Sequence, residues 1–206
     1  MHLYIGSQLT NILSFTETLK SAFREINRID ADFISSIKVL NMGGGFPAVY
    51  GKRTQPEIDL SQETALLQGI TKIIKDHNFK NAELIFESGR AIVGSTGRLK
   101  CTILNFNSSC ASPYIVVNTC IAQIADLYLI RKIKELELEF YNPASVKSQP
   151  VKFKVFGSSC TQLDMLGYVM VDESQLKIGN MLFCDNLGAY CSNASLNGFH
   201  SKRRIK

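Results

Sequence analysis

The chain has 206 residues, 45% of them hydrophobic and 20% charged, and carries a net charge of +5. That length can bury one core or two small ones, and no apolar run approaches the roughly 20 residues of a membrane-spanning helix or forms an opening signal-peptide pattern. The charge is spread along the chain apart from a basic tail, Lys202-Arg203-Arg204 with Lys206. Without aromatic interleaving or a binding motif, that tail reads as a solvated end and argues against a nucleic-acid partner.

In chain order, His2 to Ile5 is predicted as a strand ending at Gly6-Ser7. Ile12, Phe15, Leu19, Phe23 and Ile26 recur at steps of three and four, one face of a helix. Ile37 to Leu40 is a second strand, stopped by Gly43-Gly44-Gly45 and Pro47. Leu66, Leu67, Ile70, Ile73 and Ile74 mark another amphipathic helix, with Ser61 as its N-cap. Leu84-Ile85-Phe86 is a third, buried strand, and Glu87 sits at its C-terminal end. Strands alternating with helices are the grammar of a parallel sheet with helical crossovers. Such folds place their chemistry just beyond the C-terminal ends of the strands. Three strands cannot close a barrel and would leave two open edges.

After about residue 95 the pattern turns to short runs, several with period-two alternation: Tyr114 to Val117, Leu136 to Phe140, Val151 to Val155, Tyr168 to Val171 and Met181 to Phe183. A β-rich second domain, 95–206, is expected to follow an α/β first domain, 1–94, with the boundary near Gly94-Thr96. The six cysteines show no CxxC pair and no metal-ligand spacing, so reduced thiols in a cytoplasmic protein are expected and no metal site.

Four segments are candidates for chemistry, each with a plainer reading beside it. Gly43-Gly44-Gly45 leaves a strand and can bring bare backbone N–H groups to a phosphate, or can be a tight turn. Glu87 and Arg90 can be a surface ion pair, or can hold opposite ends of a charged ring cofactor. Cys160 lies between two strand-like runs and is either a small buried hydrophobe or a proton donor. Tyr190, in Gly188-Ala189-Tyr190, is either a core tyrosine or a hydroxyl donor to phosphate.

Taken in order, these segments resemble the fold-type III pyridoxal-phosphate decarboxylases, which include ornithine, lysine and diaminopimelate decarboxylases and share an alanine-racemase-like barrel. The resemblance rests on His2 to Gln8, Leu40-Asn41-Met42-Gly43-Gly44-Gly45-Phe46-Pro47, Glu87 to Gly94, Phe156 to Leu166, and Gly188-Ala189-Tyr190 with Asn197-Gly198-Phe199. It implies the last strands of a TIM (β/α) barrel, a partial barrel, followed by a C-terminal β-domain. It implies pyridoxal 5′-phosphate as cofactor, with Tyr4 stacking on its ring and Glu87 facing its pyridine nitrogen. Ser7, Gly44, Gly45, Gly89, Arg90 and Tyr190 would surround its phosphate. Cys160 would protonate the product across a homodimer interface, with Thr161 and Asp164 on the amino-acid substrate. In this family the lysine that binds the cofactor lies upstream, in a barrel half this chain does not carry. The resemblance therefore implies the C-terminal half of such an enzyme, inactive alone.

The departures also carry information. Tyr4 stands where the ornithine group usually has histidine, Ser88 replaces a proline, and Asn118-Thr119-Cys120 replaces an Asp-Gly-Gly-like turn. Thr161 occupies the place of an acid that recognises a distal amine, which points to a branch acting on modified or carrier-linked amino acids. The alternative is a non-catalytic, decarboxylase-like binding or regulatory protein that pairs with an active relative.

Overall fold

The computed structural model describes residues 1–4, 6–7, 12–29, 31–49, 51, 60–76, 79, 82–124, 137–143 and 149–191. Asn197 to Phe199 and the basic tail therefore lie outside the described residues. The chain divides into two compact units, residues 1–48 with 56–92, and residues 49–55 with 93–206. Among the described residues no helix is long and apolar enough to cross a membrane.

In the first unit, helices α1 (Ile12–Ile26) and α3 (Leu60–Asp76) pack together, with α2 (Ala31–Ser36) between them in sequence. The three-to-four spacing explains the pairing: Leu19, Phe23 and Ile26 from α1 and Ile70, Ile73 and Ile74 from α3 are buried in one core with Leu40 and Met42. Phe79 meets Phe23 edge-to-face at 5.1 Å. Strand β1 (Val39–Asn41) runs parallel to β2 (Glu83–Ile85), with Leu40 beside Leu84 and Asn41 beside Ile85. The first residues continue this row. Leu3 N donates to Asn41 O at 2.8 Å, and Asn41 N donates to Met1 O at 2.8 Å. The result is three parallel segments whose C-terminal ends share one edge.

Three expectations change here. The first strand is a single bridge between His2 and Asn41, and Ile5 lies outside the described residues. Ser61 is inside α3, which already begins at Leu60, so it is not the N-cap. The third strand is half-exposed rather than buried: Leu84 and Ile85 keep 37% and 38% of their surface. Among the described residues β2 pairs only with β1, so one flank lacks a covering strand.

The second unit is one six-stranded sheet built from β3 (Arg98–Asn107), β4 (Tyr114–Val117), β5 (Leu138–Phe140), β6 (Val151–Phe156), β7 (Met165–Val171) and β8 (Met181–Asp185). Its order is β5-β7-β6-β4-β3-β8. The two ends meet: Tyr141 and Phe183 exchange both backbone hydrogen bonds at 2.9 Å, which curls the sheet almost into a barrel. Tyr141 also donates its hydroxyl to Asp185 at 2.9 Å, and Arg98 donates to the same carboxylate's other oxygen. Much of the sheet alternates inward and outward residues, and Ile103, Ile115, Leu138, Phe153, Val155, Val169 and Leu182 are fully buried.

The longest strand, β3, has no counterpart among the sequence-predicted elements. Its inward phase runs Cys101, Ile103 and then breaks, because the ladder to β4 shifts register between Ile103 and Asn105. A bulge of this kind moves the next apolar residues to the other face and erases the alternation. Gly51 makes its contacts within the second unit. Glu139 N donates to Gly51 O at 2.6 Å, and Gly51 has φ +58° with no room for a side chain against Leu138. Glycine alone meets both demands.

Candidate functional site

In the first unit the shared strand edge collects Tyr4, the glycine turn and Glu87. Glycine is required there by backbone crowding. A Cβ on Gly44 would sit 2.5 Å from Glu87 O, and one on Gly43, at φ +66°, would sit 2.5 Å from Leu3 O. The turn is therefore first a device for packing three strand ends closely. Glu87 N donates to Gly43 O at 2.8 Å, and Gly89 N donates to Glu87 O at 2.9 Å. The Glu87 side chain is exposed, and its Oε1 accepts from Asn41 Nδ2 at 2.7 Å. Asn41 was the residue missed. An asparagine two before a glycine is the signature of an Asx-turn, and Asn41 Oδ1 does accept from Gly43 N at 2.8 Å.

Around this edge, Tyr4 keeps 75% of its surface, Ser7 is half-buried in a bend after Gly6, and Phe46 meets Phe86 edge-to-face at 6.0 Å. Gly45 has φ +95°, a left-handed conformation. Gly89 and Arg90 open α4 (Gly89–Val93), with Arg90 half-buried. Gly89 differs from Gly43 and Gly44: among the described residues a Cβ there would meet nothing within 4 Å. Packing among the described residues does not explain its missing side chain.

In the second unit, Cys160 and Thr161 sit on the loop between β6 and β7. Cys160 is the exposed thiol among the six, all of which are free. Asp164 is folded into that loop and organises it. It is 2% exposed, and its carboxylate accepts from Ile121 N at 2.6 Å, Ser159 N at 2.8 Å and Ser159 Oγ at 2.5 Å. A buried carboxylate needs such donors, and here they pin the residue before Cys160. Gly157 has no side chain because a Cβ would lie 2.4 Å from that carboxylate. The 118–120 turn supports the same loop, since Thr119 O accepts from Ser158 N at 2.9 Å. Thr161 Oγ1 accepts from Leu163 N at 3.3 Å, so its hydroxyl is engaged within the loop.

Tyr190 stands at φ +61° and is half-exposed. A left-handed backbone is uncommon for a bulky residue and costs about 1–2 kcal/mol, so it marks a position held for a reason. The cysteines of the sheet are structural: burial raises the Cys101 thiol to about 12, and burial raises Cys184 as well.

Residues 1–94 match the family described as pyridoxal-dependent decarboxylase, pyridoxal binding domain. The diaminopimelate decarboxylase of Halalkalibacterium halodurans is 27% identical over 169 residues, covering 81% of this chain and 37% of that protein. An L-glutamyl–acyl-carrier-protein decarboxylase of Niallia circulans is 24% identical over 194 residues, covering 92% of this chain and 45% of that protein. The crystal structure of diaminopimelate decarboxylase from M. jannaschii in complex with L-lysine superposes with a TM-score of 0.74 at 22% identity, covering 96% of this chain and 43% of that one. The chain thus spans less than half the length of each of these relatives.

Proposed function

We propose that this chain belongs to the fold-type III pyridoxal-phosphate decarboxylases and supplies the ring-nitrogen and phosphate side of an amino-acid decarboxylase site; the match of residues 1–94 to the pyridoxal binding domain supports the reading. The observation that carries the reading is the joining of Glu87, Asn41 and the glycine turn at one strand edge. The residues suit pyridoxal phosphate. Asn41 is the carboxylate's one hydrogen-bond partner among the described residues, which leaves Oε2 open to accept a ring N–H. Open space beside Gly89 admits a close approach that any side chain would block. When bound, the cofactor supplies the electron sink that lets CO2 leave an α-carbon.

The chain's own residues then have distinct tasks. Glu87 holds a proton on the ring nitrogen. Arg90, Ser7, the glycine turn and Tyr190 take the phosphate, with the planar guanidinium the strongest donor. Tyr4, exposed at the same edge, stacks on the ring. Cys160 delivers a proton from Sγ to the α-carbon in a homodimer, to the cofactor site of the partner subunit. Its exposure suits that task, and the Asp164 network keeps the loop in place. Thr161 offers no carboxylate to a distal ammonium. This favours substrates whose far end is neutral, modified or attached to a carrier, the class named for the Niallia circulans relative. The reading places the protein in the cytoplasm, where its six cysteines stay reduced.

The test is to express the chain with the N-terminal barrel half of a relative and follow release of labelled CO2. Decarboxylation is expected, and Glu87→Ala should lower it at least a hundredfold while bound cofactor remains visible by absorbance. Turnover indifferent to Glu87, or bound cofactor with no CO2 from any amino acid offered, would overturn the proposal.

A further inference from the structure

We infer that Asn41 is a positioning residue that fixes Glu87 with Oε2 toward the cofactor's ring nitrogen and couples that end of the site to the glycine turn; this rests on the cofactor reading above. A backbone N–H can only donate, so the Asn41 atom 2.8 Å from Gly43 N must be the amide oxygen. That fixes the flip of the side chain and aims its NH2 at Glu87 Oε1, 2.7 Å away. Glu87 N then donates to Gly43 O at 2.8 Å, closing a ring of three hydrogen bonds through Gly43, Asn41 and Glu87. The Asn41 backbone is itself held by the first segment, its N–H donating to Met1 O and its C=O accepting from Leu3 N.

Two consequences follow from that ring. One carboxylate oxygen is occupied by a donor, so the exposed Glu87 side chain is ordered before any guest arrives. A shift of the glycine turn also moves the carboxylate, because Gly43 touches both partners. The chemistry requires an amide. An aspartate at this position would keep its bond to Gly43 N but would set a second acceptor against Glu87 Oε1, and the pair would repel unless they shared a proton. Asn41→Asp therefore breaks the link to Glu87 while sparing the glycine turn.

The experiment uses the 206-residue chain and two arms. In the first, the side-chain NH2 resonances of Asn41 are followed by 15N NMR in the native chain and in Glu87→Ala. A clear shift confined to Asn41 and its turn is expected, and an unmoved amide overturns the inference whatever the binding data say. In the second, pyridoxamine 5′-phosphate, which needs no lysine, is titrated by fluorescence beside its analogue with C–H in place of the ring nitrogen. Asn41→Asp should weaken the first probe about tenfold or more and leave the second within twofold. Equal loss with both probes, or loss with neither, overturns the positioning role. If the native chain shows no preference for the ring nitrogen, the cofactor reading itself fails, a result the first arm keeps separate from the state of the Asn41–Glu87 pair. Should Asn41→Asp fail to fold, the first arm still decides, because it needs only the native chain and Glu87→Ala.

Discussion

The two units hold their candidate site residues by different means. In the second, the sheet curls until its ends meet, and its inward side chains from Ile103 to Leu182 are sealed from solvent. In the first, Glu87 follows β2, a strand of a two-stranded sheet whose apolar residues Leu84 and Ile85 stay more than one-third exposed. There the site is built from backbone crowding and a few hydrogen bonds rather than from a surrounding core. The loop that presents Cys160 rides on a rigid body, whereas the edge that presents Glu87 depends on polar contacts at a lightly covered strand.

Truncating one apolar side chain in each sheet tests this most directly. Phe153→Ala in β6 should cost about 3–5 kcal/mol, and Leu84→Ala in β2 less than about 1 kcal/mol, both read from denaturant midpoints. Equal losses would erase the distinction. Adding a methyl group sharpens it at smaller amplitude. Gly167→Ala would set a Cβ 2.0 Å from Leu138 O and should cost about 1–3 kcal/mol, since β5 and β7 cannot separate without opening the sheet. Gly89→Ala meets no atom of the described residues within 4 Å and should leave stability within about 0.5 kcal/mol, yet weaken binding of pyridoxamine 5′-phosphate.

A further effect is confined to alkaline pH. The Cys101 thiol is raised by burial from 9.0 to about 12, so the folded unit keeps its proton where the unfolded chain has lost it. Its contribution is intact below pH 9 and declines as pH rises toward 12, by about 1.4 kcal/mol per pH unit for that group. Cys101→Val should flatten the alkaline limb of the stability curve. A slope unchanged by the substitution would show that the thiol is not sealed.

Much of this was legible in the residues, for reasons that also explain the gaps. The helical faces of α1 and α3 and the strands β4, β6, β7 and β8 follow from periodicity, which survives because each element buries one continuous face. Strand β3 was hidden by the bulge after Ile103, which resets the phase that sequence reading depends on. Gly51 was hidden because its role is a backbone contact to Glu139, and nothing local announces a distant strand. Glu87 and the glycine turn were visible as a pair, but their connector Asn41 was not, since an amide at a strand end has no pattern beyond its Asx-turn. The substrate role expected of Asp164 came from resemblance alone, and nothing local in the sequence announced its hydrogen bonds to Ile121 and Ser159.

The backbone of Tyr190 sets a constraint of its own. Glycine, and to a lesser extent asparagine, would relax the left-handed geometry there, and neither carries a phenol. Position 190 therefore cannot be optimised for rigidity and keep its hydroxyl at once, so a stabilised variant recovered from a random library should be checked at this codon first.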